Sequence, residues 1–263
     1  MRFGYHPIGR PGLYTHIYHL GDLLIDTGQS AARQQVLAAT KDLNVQQIFI
    51  THHHEDHTGN LAALRRQHAC PTYASEACCH MMHAPPSLSV AQVLTWGRRP
   101  PDHALLPIAD QLSTLDYHFQ LIPIPGHAPD MLALYEPERE WLFSADLYIN
   151  SYIGYFLPSE RMATQIQSIK RILELNFKVM FCSHNPQLEH PKEKLADKLA
   201  FLESFFEQVA NLHAKGYPVR QIMRRLKLRE NWLVYLLSQA KLSKRNMVKS
   251  VIRDLTVTTS LDT

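Results

Sequence analysis

An α/β architecture followed by an all-helical extension is the fold class this sequence predicts. Three observations carry it. Short apolar runs alternate with helical stretches over the first 190 residues, the chemically unusual residues fall just past those runs, and from about residue 194 the pattern is helical only. A chain of 263 residues is long enough for one large domain, or for a smaller one with an appendage.

The elements follow in order. Ile17–Leu20 and Leu23–Asp26 read as a hairpin turning at Gly21-Asp22, and Ser30 starts a helix over residues 30–43. Gln47–Ile50 is a short buried strand, followed by a helix over Asn60–His68 and a strand at Thr72–Ala74. Pro85, Pro86, Pro100, Pro101 and Pro107 break up residues 76–112, so no long element is expected there. Strands resume at Phe119–Ile124, Met131–Tyr135, Trp141–Ser144 and Val179–Cys182, with a helix over about 160–175. A long amphipathic run to about 214 and short helices near 218–226, 230–240 and 243–254 complete the chain.

Composition narrows the class. Hydrophobic residues are 45% and charged residues 19%, values of an ordinary globular protein. No run of 18 apolar residues is free of charge, so no membrane span and no membrane partner is expected. The N-terminus lacks an apolar secretory segment, which points to a cytoplasmic location. Cys70, Cys78, Cys79 and Cys182 form no C-x-x-C pair and read as reduced thiols. Residues 213–253 hold eleven Lys and Arg against the single acid Glu230, a local balance of +10, whereas residues 1–212 balance to −5.

The 16 histidines are the compositional anomaly, and they concentrate in Thr51-His52-His53-His54-Glu55-Asp56-His57-Thr58-Gly59. At a strand end alternate residues point to one side, so His52 and His54 converge on one ion. Asp56 and His57, in the turn that enters the next helix, reach a second ion, while His53 and Glu55 point away. Imidazole nitrogen and carboxylate oxygen suit zinc and similar divalent ions. His127, Asp146 and His184 each follow an apolar strand by one to three residues, where α/β sheets gather their sites. His6, His16, His19, His80 and His83 read as surface or core histidines, His16 being nearest in sequence to a candidate cleft.

The H-x-H-x-D-H stretch, the Gly126-His127 pair, the lone Asp146 and the Ser183-His184 pair resemble the signature of the metallo-β-lactamase-fold hydrolases, in the branch of glyoxalase II and the lactonases. The resemblance spans roughly residues 10–190. It implies a four-layer αβ/βα sandwich, with His52, His54 and His127 on one ion, Asp56, His57 and His184 on the other, and Asp146 between them. Residues 1–193 would form the catalytic domain, with 76–112 as a lid insertion, and 194–263 a basic helical extension. Ala128-Pro129-Asp130 departs from the more usual Ser/Thr-Pro-Gly, which changes the surroundings of His127 but not the histidine.

The implied reaction is hydrolysis by a water activated between two cations about 3.5–4 Å apart, with Asp56 as acid and base. Two Zn2+ are the expected cofactors, with Fe or Mn as variants. A small-molecule ester, thioester or lactone is the expected substrate. Phosphodiester or RNA hydrolysis, with the basic helices on nucleic acid, and iron-dependent sulfur dioxygenation are the alternatives. Trp96, Arg98 and Arg99 are candidates for substrate contact, and Tyr148, Tyr152, Tyr155 and Phe156 for an aromatic wall. The spacing of Ile222, Leu226, Leu233, Leu236 and Leu237 reads as packing, in a helical cap or at a homodimer surface.

Overall fold

The computed structural model describes residues 1–5 and 13–259; His6 and the last four residues of the expected extension lie outside that range. β1 (Arg2–Phe3) and β2 (Thr15–His16) pair as a short antiparallel ribbon. β3 (Tyr18–Leu20) and β4 (Leu23–Ile25) make the expected hairpin. Then come α1 (Arg33–Thr40), β5 (Gln47–Ile50), α2 (Glu55–Thr58), α3 (Leu61–His68), β6 (Thr72–Ala74), α4 (Glu76–His83), α5 (Val90–Trp96) and β7 (Leu106–Pro107). β3 to β7 lie side by side in chain order, parallel from β4 onward, because each crossover runs through helix.

The second sheet holds β8 (Gln111–Ser113), β9 (His118–Pro123), β10 (Leu132–Glu136), β11 (Trp141–Ala145) and β12 (Val179–Cys182). β8 to β11 form an antiparallel meander; β12 joins β11 in parallel after α6 (Met162–Leu173).

The period of two along each strand sorts the side chains into layers. Leu23, Ile25 and Phe49 meet Leu132, Leu134 and Phe143 in a core between the two sheets. Their neighbours Leu24, Ile48 and Ile50 turn the other way, onto Val36, Leu61, Leu64 and Met82 of the helices outside the first sheet. Ala133, Leu142 and Met180 do the same on the far side, under α6 and α7 (Pro191–Ala214). Helix, sheet, sheet, helix: the expected four-layer αβ/βα sandwich.

α8 (Val219–Arg225) and α10 (Lys244–Thr259) add Ile222, Met247, Val248 and Val251 to this last core. A fully buried aliphatic side chain contributes about 1.5–3 kcal/mol over an exposed one, so these four tie the helices firmly to the second sheet's outer layer. α9 (Trp232–Leu237), between them, buries none of its residues.

Several boundaries differ from the sequence reading. Residues 30–32 form a 3-10 turn ahead of α1, which ends at Thr40. Segment 76–112 supplies more than a lid, since β7 and β8 are the edge strands of the two sheets. Strands of two or three residues are too short to show a period, and Pro107 is tolerated because an edge strand leaves one side unpaired. Cys78 and Cys79 are buried on one face of α4, which Ser75 caps by accepting from the Cys78 N–H at 3.0 Å.

Candidate metal centre

β5 delivers the chain to the site. Thr51, the next residue, donates its N–H and hydroxyl to Asp26 at the end of β4, at 2.9 and 3.1 Å. The same carboxylate accepts from His57 Nδ1 at 2.8 Å, which fixes the ring and leaves Nε2 aimed inward. His53, between two candidate ligands, points away as expected: its N–H and Nδ1 bond Asp130 at 2.8 and 2.7 Å. The atypical Asp130 thus holds the histidine loop in register. Gly59 closes the turn because a Cβ there would lie 2.4 Å from Ser30 N and 2.7 Å from Glu55 O.

The remaining candidates arrive from the second sheet. Gly126, at φ +135, lets His127 turn in where a Cβ would meet the Gln165 backbone at 2.6 Å. Buried Glu160 faces His127 Nδ1 at 3.2 Å. Ahead of Asp146 the β11–β12 register shifts and Ala145 adopts φ 45, a bulge that re-aims the next side chain. His184 donates from Nδ1 to the Tyr14 carbonyl at 2.8 Å.

All seven predicted residues come together. His52, His54, His127 and Asp146 form one group and Asp56, His57, Asp146 and His184 another, the donor atoms within each lying inside 4.8 Å of one another. Asp146 belongs to both. Its Oδ2 is 3.2 Å from His184 Nε2 and 3.5 Å from His127 Nε2, and its Oδ1 is 3.5 Å from His57 Nε2. Asp56 Oδ2 lies 3.2 Å from His184 Nε2. His54 Nδ1 faces His127 Nε2 at 3.1 Å.

Does this cluster fit divalent cations? His52 Nε2, His57 Nε2 and Asp146 Oδ1 are buried and lack a hydrogen-bond partner among the described residues. An unsatisfied buried polar atom costs about 1–3 kcal/mol, and three of them converging in one place are what cation ligation would satisfy. The all-nitrogen-and-oxygen donor set suits zinc, iron or manganese. Burial and the neighbouring imidazoles hold His52 and His54 well below the usual histidine range, as neutral ligands need. Burial would also raise the Asp146 carboxyl, but His184 and His57 more than offset it and hold it well below the ordinary carboxylate range.

The seven residues border a cavity of about 510 Å³, walled by Leu13, Trp96, Ile149, Leu157 and Leu242. The Trp96 ring lies 6.0 Å from that of His184, so this tryptophan does face the site. Arg99 does not: it is buried, donating to the carbonyls of His53 and Pro86 at 2.6 Å each. The expected tyrosine wall is also corrected. Tyr148 and Phe156 are buried in the core and Tyr152 packs on Phe201 outside it, while the aliphatic Ile149 and Leu157 take the lining positions. His16 takes no lining role either; its Nδ1 bonds Ser183 O at 3.0 Å, beside His184.

Asp26 and Glu160 are functional positions that the sequence reading missed. Asp26 had a signal, an acid directly after the apolar run Leu23-Leu24-Ile25. Glu160 had none, 33 residues from the histidine it faces.

Known proteins agree with this architecture. A metallo-β-lactamase family protein from Thermus thermophilus superposes with a TM-score of 0.62 at 20% identity, over 80% of this chain and 82% of its own, which shows the shared fold. A structure solved in a di-iron-bound form superposes at 0.56 with 26% identity, over 71% and 92%. A hydroxyacylglutathione hydrolase from Bdellovibrio bacteriovorus is 25% identical over 162 residues, 61% of this chain and 57% of that enzyme, so the match spans little more than half of the relative's length. The sequence profile of the metallo-β-lactamase superfamily matches residues 18–184. The chain belongs to the metallo-β-lactamase superfamily of metal-dependent hydrolases.

Proposed function

We propose that this hydrolase cleaves a small-molecule thioester, with esters and lactones as its chemical neighbours, using two divalent cations. His52, His54, His127 and Asp146 would hold one, and Asp56, His57, Asp146 and His184 the other. The observation that carries the reading is the sharing of Asp146 by two four-donor groups at the floor of an apolar cavity. The likeness to a hydroxyacylglutathione hydrolase supports the thioester. The likeness to a di-iron-bound structure supports iron beside zinc as the cation.

Bound there, the cations polarise the scissile carbonyl and lower the pKa of a water held between them. Asp26, Glu160 and the Tyr14 carbonyl retain the Nδ1 protons of His57, His127 and His184, so each ring presents an Nε2 lone pair inward. Asp56 lines the cavity with Oδ2 beside His184, placed to accept the proton of the attacking water and return it to the leaving thiolate. Trp96, Leu157 and Leu242 surround the acyl portion with apolar surface. Lys241 is the single Lys or Arg among the described residues that line the cavity, which gives RNA hydrolysis less support.

The test is a substrate panel on cation-loaded protein: an acylglutathione, a lactone, an aryl ester, an aryl phosphodiester, and a persulfide in an oxygen electrode. We expect kcat/KM for the thioester to exceed that for the phosphodiester by about a hundredfold or more. Preferential phosphodiester cleavage, or oxygen uptake with the persulfide, would contradict the proposal.

A further inference from the structure

The rim of the cavity has a character that hydrolysis does not require. Trp232, Leu233, Leu236 and Leu237 on α9 are 67%, 68%, 70% and 56% exposed. Their spacing puts them on one stripe of the helix. Across the cavity, α5 exposes Val90 and Leu94, one turn apart, while Gln92, Thr95 and Trp96 line the interior. The two helices border one opening: Ser238, Lys241 and Leu242, just past α9, line the same cavity, and Lys241 Nζ donates to Ser87 O at 2.5 Å ahead of α5. Six large apolar side chains flanking one opening form a patch of the kind that marks an interaction surface.

Charge identifies the partner. The patch sits within the segment of balance +10. Arg220 and Arg245 share a shallow depression with Trp232 and Tyr235. Arg224 and Arg229 are also exposed, and none of these four arginines makes an ion pair among the described residues. A second copy of the chain would bring two positive surfaces together. Single-stranded RNA calls for aromatic stacking platforms, and three leucines in a stripe offer none. An apolar stripe with a tryptophan, ringed by arginines, matches the interface of an anionic bilayer, where apolar side chains enter the acyl boundary and cations reach the headgroups.

We infer that the α5–α9 rim docks the protein on an anionic lipid surface. Among the described residues no helix is long and apolar enough to cross a membrane, so the contact is peripheral. The inference concerns a surface away from the cation-binding residues and does not depend on the thioester reading.

The experiment is co-sedimentation of the full chain with vesicles of phosphatidylcholine containing phosphatidylglycerol, against vesicles of phosphatidylcholine alone. The wild type should sediment with the anionic vesicles and dissociate as salt rises. The double variant Leu233→Glu, Leu236→Glu should bind at least about tenfold less while keeping wild-type circular dichroism, since both leucines are exposed. A blue shift of tryptophan emission on binding should disappear in Trp232→Phe. Equal sedimentation of wild type and the double variant would overturn the inference, as would no binding to anionic vesicles. It would also fall if light scattering gave a wild-type dimer that the double variant dissolves, or if single-stranded RNA bound with unchanged affinity to both proteins in place of the vesicles.

Discussion

The floor and the rim of the cavity are built on opposite terms. On the floor, His57, His127 and His184 each have a second group on the far ring nitrogen, and Asp146 serves two clusters at once. Around the rim, short helices expose leucines that touch little else. The floor is over-determined because chemistry tolerates small errors of position poorly. The rim needs only apolar area and charge of the right sign. A substitution on the floor should therefore act far beyond its own contacts, and one on the rim should act locally.

The largest effect expected is that of Asp146→Ala, which removes a donor from both groups. We predict a loss of at least about a thousandfold in kcat/KM. Activity within tenfold of wild type would break the contrast between floor and rim.

Next comes the support beneath the floor. Lys198 of α7 is buried and donates to Leu147 O, next to Asp146, and burial pushes its ammonium down to about 8. An unfolded lysine titrates near 10.4. Between those values the unfolded chain keeps a proton that the folded chain has lost, so stability rises with pH there. Relative to Lys198→Met, the wild type should gain roughly 3 kcal/mol of unfolding free energy between about pH 7 and 11. A pH-independent difference in denaturant titrations would show that Lys198 is not held in this way.

Asp26→Asn sharpens the comparison by touching no cation. It weakens the acceptor that orients His57 Nε2, and should lower affinity for the second cation by about 10–100-fold in chelator competition. Unchanged affinity would mean that the floor is looser than described. Smallest is Leu242→Ala on the cavity wall, expected to raise KM a few-fold with kcat unchanged; a large fall in kcat would move Leu242 from wall to machinery.

The same contrast explains what the sequence makes legible. His52, His54, Asp56 and His57 are readable because a short apolar strand dictates which side chains share a side, and four donors in that register have no common packing use. His127, Asp146 and His184 follow from strand ends. The four-layer order follows from the motif's resemblance and is written again in the alternation of β4, β5, β10 and β11. What stays hidden depends on placement in three dimensions. Glu160 meets His127 only after α6 packs, and no glycine marks the positive φ of Ala145. The aromatic run 148–156 looks like a wall, yet the turn after β11 sends Tyr148 and Phe156 inward. Leu233, Leu236 and Leu237 share the spacing of core residues such as Ile222, but α9 has six residues and lies outside the core they were expected to join.

The central claim is that one aspartate completes two cation sites, and elemental analysis tests it most directly. After reconstitution with zinc or iron and removal of excess, plasma mass spectrometry should find about two equivalents per wild-type chain and about one or fewer for Asp146→Ala. Fewer than about one equivalent in the wild type, or about two in Asp146→Ala, would contradict the account.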